Sequence, residues 1–277
     1  MRSIDKPAYT TEFVYKTCIS EVKRKQLKKT LEACIPEIIK VSDRYELLGE
    51  KGLLYTLKDN TCVNLAIDKK HLIRVYTTRM VDKDQPGRSI YNELLSHTPH
   101  SMCPICSQRR VSSIDHYLPK SLFPSLAVAP INLIPACDQC NKKKLDEVAL
   151  TYENSTLHPY FDDFLSERFL FAEVIESVPP VIRFFVDPPN NWDESLKKRV
   201  RNHFTFFQLN ELYSVHAAEE ITAQVDVWFD LDAKERRGFF LKQARSREKK
   251  NPNSWQVAMY DGLAASRWFC EEGFNKF

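Results

Sequence analysis

Apolar residues in the first 45 positions recur at helical intervals. Val14, Cys18, Val22, Leu27, Leu31, Cys34 and Ile38 stand three to five residues apart, which predicts one or two helices over about 10–45. Pro36 is expected to bend or end that run. Residues 50–80 are mixed, and Leu53–Leu57 and Leu72–Tyr76 fit short strands or helix pieces equally well. Gln85-Pro86-Gly87 is a breaker, after which Arg88–Ser96 has helical period. Arg110–His116 (RVSSIDH) has the β-branched alternation of a short strand. Pro119, Pro124, Pro130 and Pro135 then punctuate a loop and a return strand around Val128–Ile134. The run NKKKLDEVALTYE from Asn141 has helix-forming composition. Phe169–Glu176 and Val181–Val186 read as two strands around Pro179-Pro180. From Asp193, which resembles a helix N-cap, helices are predicted over 193–208, 210–230, 232–248 and 254–271, with Pro252 separating the last two. There is no internal repeat.

The chain has 277 residues, 43% of them apolar and 28% charged, enough to bury a core and too apolar for disorder. The order of elements predicts an α+β protein in three parts: a helical region at 1–98, a small core at 99–165, and short strands followed by helices at 166–277. Mean hydropathy is −0.41, and no run approaches the roughly 18 apolar residues of a membrane span. The first residues, MRSIDKPAYTTEFVYK, lack the apolar centre of a signal peptide, so the expected address is the cytoplasm and no membrane partner is expected. With only six glycines, neither GxGxxG nor a Walker-type loop can be built, so the usual glycine-loop route to a nucleotide is excluded.

Net charge is +3, too little by itself to indicate a polyanion partner. Its distribution says more. Residues 234–250 (KERRGFFLKQARSREKK) hold eight basic and two acidic side chains. Lys23, Arg24, Lys25, Lys28 and Lys29 form a second cluster. Either can be a solvated helix face.

Eight cysteines are present. Cys18, Cys34, Cys62 and Cys270 stand in amphipathic surroundings and read as small buried hydrophobes. Cys103-Pro-Ile-Cys106 and Cys137-Asp-Gln-Cys140 are two C-x2-C pairs, the spacing of a four-cysteine structural Zn²⁺ site. The 30 residues between the pairs exceed a plain zinc ribbon, so something is inserted between the knuckles. In or beside that insert fall Asp115-His116, Asn132 and Asn141. A phosphodiester needs a base to deprotonate water and a cation to offset charge. The histidine side chain titrates nearest neutrality, and Asp and Asn offer hard oxygen ligands suited to Mg²⁺ or Mn²⁺. Residues 101–150 hold six basic and four acidic side chains. Four thiolates with one Zn²⁺ bring that surplus to zero, so a cationic site there needs a second divalent ion.

The runs CPIC, IDHYLPKS, INLIPACDQCN and Lys144 together resemble the HNH endonucleases of the ββα-metal superfamily, over about residues 100–150. The resemblance implies a zinc-stapled ββα core in which Asp115 and Asn141 bind the catalytic metal, His116 activates water, and Asn132 braces the loop. Lys144, three residues after Asn141 on the same helical face, and Lys120 are candidate phosphate contacts. Asp115 and His116 are neighbours, however. A regular strand points them to opposite faces, so a shared site requires the chain to leave strand geometry there. His158 in the HPYFDDF run is a candidate further metal ligand, against the commoner structural role of such a histidine.

In layout the chain also looks like the PtuB-type HNH subunits of Septu anti-phage defence systems, some of which accompany retrons. That likeness implies an effector nuclease acting on nucleic acid (DNA or RNA) under an ABC-type ATPase subunit. The alternative is a zinc-ribbon subunit that binds nucleic acid or a partner without catalysis, for which the four cysteines suffice and His116 is not needed.

Overall fold

A computed structural model describes residues 1–59, 61–65, 67–163 and 167–276. The protein is a mixed α and β structure with two small antiparallel sheets. It divides into two compact units, residues 2–162 and residues 163–277. The expected boundary at 165/166 and the last residue of the HPYFDDF run, Phe164, lie outside the described residues.

In the first unit the predicted helical run is three helices: α1 (Thr11–Ile19), α2 (Lys25–Ala33) and α3 (Ile35–Glu50). Thr10 caps α1 by accepting a hydrogen bond from Phe13 N. Pro36 lies in the first turn of α3, where its missing N–H costs nothing, so it begins a helix at the junction. After α4 (Thr61–Asn64) comes α5 (Lys69–Thr77). Leu72–Tyr76 is therefore helical, started by Asp68 accepting from Lys70 N. Leu53–Leu57 contains only a 3-10 turn, Leu54–Thr56. α6 is Arg88–Leu95.

Strands β1 (Ser113–His116) and β2 (Leu133–Ala136) pair antiparallel, with Ser113 opposite Ala136 and His116 opposite Leu133. Helix α7 (Asp138–Lys144) follows. The predicted strand–loop–strand–helix order is present. α7, however, starts before Asn141 and stops at Leu145, whose φ of 44° is left-handed and cannot continue a right-handed helix. One core joins the helices to the hairpin: Val14, Cys18, Leu31, Cys34, Ile38, Leu72, Val75, Ile90 and Leu94 share it with Ile114, Ala127 and Leu133.

In the second unit β3 (Leu170–Ile175) and β4 (Val181–Val186) are the two predicted strands, and they pair antiparallel. Ile182 and Phe184 face inward and their neighbours face out. Helices α8 (Glu194–Phe206), α9 (Leu209–Phe229), α10 (Ala233–Glu248), α11 (Trp255–Ala265) and α12 (Arg267–Glu271) complete it. Asp193 caps α8 through Ser195 N. The predicted helix 254–271 is two, because Ser266 leaves helical geometry (ψ 105°) and its hydroxyl accepts from Phe269 N. A Cβ on Gly262 of α11 would lie 2.5 Å from the Ala172 carbonyl oxygen of β3, so only glycine allows this helix to meet this strand.

Candidate functional site

The two knuckles meet. Cys103, Cys106, Cys137 and Cys140 are all buried, with their sulfurs within 4.8 Å of one another. Tetrahedral Zn–S bonds of about 2.3 Å place sulfurs roughly 3.8 Å apart, so the cluster fits a structural zinc. In the first knuckle Ser107 N donates to the Cys103 carbonyl (2.7 Å) and Arg109 N donates to Cys106 Sγ (3.5 Å). Ser107 takes a φ of 53° to close this turn. In the second, Cys137 is the N-cap of α7, and its sulfur accepts from Cys140 N (3.4 Å). Thiol–thiol hydrogen bonding within the cluster holds Cys106 far below the usual thiol range and Cys137 at about 7, while it pushes Cys103 and Cys140 well above that range. Thiolate is the metal-binding form. His97 is hydrogen-bonded to the Asp5 carbonyl (2.8 Å) and is not part of the cluster.

β1 stays regular through His116, so Asp115 and His116 do leave on opposite faces. Ser113 and Asp115 face α7. Asn141 Nδ2 donates to Ser113 Oγ (3.0 Å), and three residues on Lys144 Nζ lies 3.7 Å from Asp115 Oδ2 and donates to the His116 carbonyl (2.8 Å). Lys144 is 5% exposed. The sequence expectation placed it against a phosphate; the helical spacing instead carries it over β1, onto the buried carboxylate. Burial pushes Asp115 up to about 6 against the pull of Lys144, the His116 backbone N–H and Lys120. Its only cation within 4 Å among the described residues stands beyond direct hydrogen-bond range. Desolvation outweighs the partners of this carboxylate, which could supply one oxygen ligand to a cation. The Asn141 amide oxygen remains an acceptor, although its amide nitrogen is engaged with Ser113 rather than aimed at Asp115.

His116 lies on the other face, with Ile114. Its Nε2 is 2.9 Å from the Ala127 carbonyl oxygen, and its ring meets Tyr76 edge-on at 4.4 Å. A carbonyl only accepts, so Nε2 carries the proton and Nδ1 holds the lone pair. Burial, then the charge of Lys120, lower the imidazole to about 3, against the Ala127 hydrogen bond. The ring is therefore neutral at physiological pH. Lys120 Nζ stands over the Tyr76 ring at 5.7 Å, half-buried on this side. Lys120 and Lys144 act electrostatically on both Asp115 and His116, so the end of β1 is one field although its side chains diverge.

Asn132 is fully buried. Its Nδ2 donates to the Leu118 and Leu126 carbonyls (2.9 and 3.3 Å), and its Oδ1 accepts from Leu118 N (2.7 Å). It braces the loop between the strands, including the peptide next to the carbonyl that holds His116. Asp59 clamps the same loop by accepting from Ser125 N and Ser125 Oγ, both at 2.9 Å. His158 is not available as a metal ligand: its Nδ1 accepts from Tyr160 N (3.1 Å) and its Nε2 is bonded to the Tyr45 hydroxyl (2.8 Å). Sequence reasoning missed Tyr76, Ala127, Asp59 and Ser113. Only Ser113 carried a signal, as the residue two before Asp115 on the same strand face.

Among the described residues, no helix is long and apolar enough to cross a membrane. No family model and no solved structure matches the chain significantly. Over an alignment of 293 positions, covering 97% of this chain and 99% of the relative, it is similar to Protein ea31 of Escherichia phage lambda, at 26% identity.

Proposed function

We propose that this protein is a metal-dependent endonuclease of the HNH type, hydrolysing phosphodiester bonds in DNA or RNA. The observation that carries the reading is the His116 tautomer. Its Nε2–H is committed to the Ala127 carbonyl, so Nδ1 is the basic nitrogen of a neutral ring held at a strand end. Nδ1 accepts the proton of the attacking water. Lys120 binds the phosphate, whose negative charge offsets the lysines and raises the affinity of the ring for that proton. Asn132 keeps the loop, and with it the Ala127 carbonyl, in place. Asp115, with the Asn141 oxygen, would hold Mg²⁺ or Mn²⁺, and Lys144 must yield the carboxylate for that to happen. Such an ion supplies Lewis-acid stabilisation of the phosphate charge. The four cysteines would hold zinc as a staple with no chemical step of its own.

A second reading, a zinc-stapled subunit that binds without cleaving, is favoured by the burial of both candidate groups, with Asp115 4% and His116 5% exposed. The finer role, an effector of anti-phage defence governed by an ABC-type ATPase subunit, rests on the layout resemblance. The similarity to Protein ea31 of Escherichia phage lambda carries no information on that role. The deciding experiment is cleavage of plasmid DNA and of single-stranded RNA with Mg²⁺ or Mn²⁺. His116→Ala is expected to remain folded and zinc-loaded while losing 100-fold or more of the rate, the usual contribution of a general base being about 10²–10⁴. Equal cleavage by parent and variant, or none by the parent with and without its ATPase partner, would leave the binding reading.

A further inference from the structure

Helix α10 carries a feature that packing does not explain. Its inner face is committed: Arg236, Phe240 and Ala244 are buried. Its outer face carries Lys234, Lys242, Arg245 and Lys249, all exposed, and none makes an ion pair among the described residues. The acids of the helix are already engaged. Glu235 closes the N-terminal capping box with Asp232, and Glu248 lies 3.9 Å from Arg168. At 100° per residue, these four cations and Gly238 fall within an arc of about 80°, along roughly 22 Å of axis.

Gly238 is the independent observation. Glycine is the poorest helix former after proline, and this one is mid-helix. A Cβ there would meet nothing within 4 Å, in contrast with Gly262, where it would strike the Ala172 carbonyl. No neighbour within the molecule requires the missing side chain of Gly238. A bare backbone in the centre of a cationic stripe is what an outside ligand needs for close approach.

We propose that the outer face of α10 docks a nucleic-acid backbone, with phosphates on Lys234, Lys242, Arg245 and Lys249 and the strand running closest at Gly238. The stripe has cations and a glycine but no apolar anchor, which a protein partner would need at its centre. A row of unpaired cations suits regularly spaced phosphates. The inference takes its polyanion from the nucleic-acid reading above and is independent of catalysis, since the cleaving and the binding forms both need such a face.

The test is fluorescence anisotropy with the full-length chain, a labelled 30-base-pair DNA duplex and a labelled single-stranded RNA, without added divalent metal, over a salt series. The Lys242→Glu/Arg245→Glu variant is expected to bind at least 10-fold more weakly and to lose roughly two units of the log–log salt slope. Gly238→Gln is expected to bind about 5-fold more weakly while melting no lower than the parent, because glutamine is the better helix former. Unchanged affinity and slope in the charge variant, or unchanged affinity in Gly238→Gln, would overturn the proposal. So would displacement of the duplex by polyglutamate as efficiently as by unlabelled DNA, which would assign the face to an acidic polypeptide. If the face variants bind normally while His116→Ala fails to cleave, this inference falls and the nuclease reading stands.

Discussion

Two buried charged side chains, Arg236 in the second unit and Asp115 in the first, are held differently. In the second unit the Arg236 guanidinium donates to the carbonyls of Trp228, Leu231 and Cys270 and lies over the Phe274 ring. It closes helix ends, and its donors have acceptors. In the first unit Asp115 is as deeply buried, yet its nearest cation is 3.7 Å away and its carboxyl is pushed up to about 6. A buried charge that is fully hydrogen-bonded is architecture. A buried carboxyl whose desolvation outweighs the pull of its partners is costly to the fold.

The largest test of this contrast is the staple. Cys137→Ser, or zinc removal by a strong chelator, is expected to unfold residues 2–162 while the second unit still melts cooperatively, because zinc binding worth about 10–16 kcal/mol in small domains is folding free energy. Calorimetry with metal analysis reads this; an unaltered first transition would exclude a structural zinc.

Acid comes next. His116 is lowered from 6.5 to about 3, so its contribution to stability is complete above pH 6.5 and is lost as pH falls toward 3. The slope is about 1.4 kcal/mol per pH unit, roughly 3 kcal/mol between pH 6.5 and 4. Denaturant unfolding across that range should show the parent losing this increment relative to His116→Gln; parallel curves would mean the imidazole is not buried neutral.

Two asparagines then allow a direct pairing. Asn132 makes three buried hydrogen bonds in the first unit. Asn253 accepts from Phe169 N and Leu170 N and donates to the Glu167 carbonyl in the second. Alanine at either site should cost about 3 kcal/mol, but under the proposed nuclease reading only Asn132→Ala should also abolish cleavage in a protein still folded at low temperature. The smallest effect separates the glycines. Gly262→Ala should lose about 2 kcal/mol by overpacking, whereas Gly238→Ala should gain up to about 1, both readable as shifts in thermal midpoint.

The elements most legible in the sequence were those written in local periodicity. The two strands β3 and β4 were legible around Pro179-Pro180, the Asp193 cap from its residue type, and the cysteine cluster from spacing. The bracing role of Asn132 came with the family resemblance, and its hydrogen bonds agree with that role. What stayed hidden depends on chain far away in sequence. Tyr76 reaches His116 from α5, forty residues upstream, and Asp59 reaches the loop at Ser125 from further still. Local composition also misled where tertiary geometry prevailed. NKKKLDEVALTYE is rich in helix formers, yet Leu145 turns left-handed once Lys144 is drawn under β1. Lys144 itself was read as a candidate phosphate contact because residue spacing fixes a helical face but not what that face lies against.

One sulfur has two duties. Cys137 is both a corner of the four-thiol cluster and the residue that starts α7, the helix that carries Asn141 and Lys144 to β1. Replacing or oxidising this sulfur therefore also removes the N-cap acceptor of the helix. The position of Asn141 and Lys144 against β1 is thus tied, through one side chain, to the geometry of the cysteine cluster.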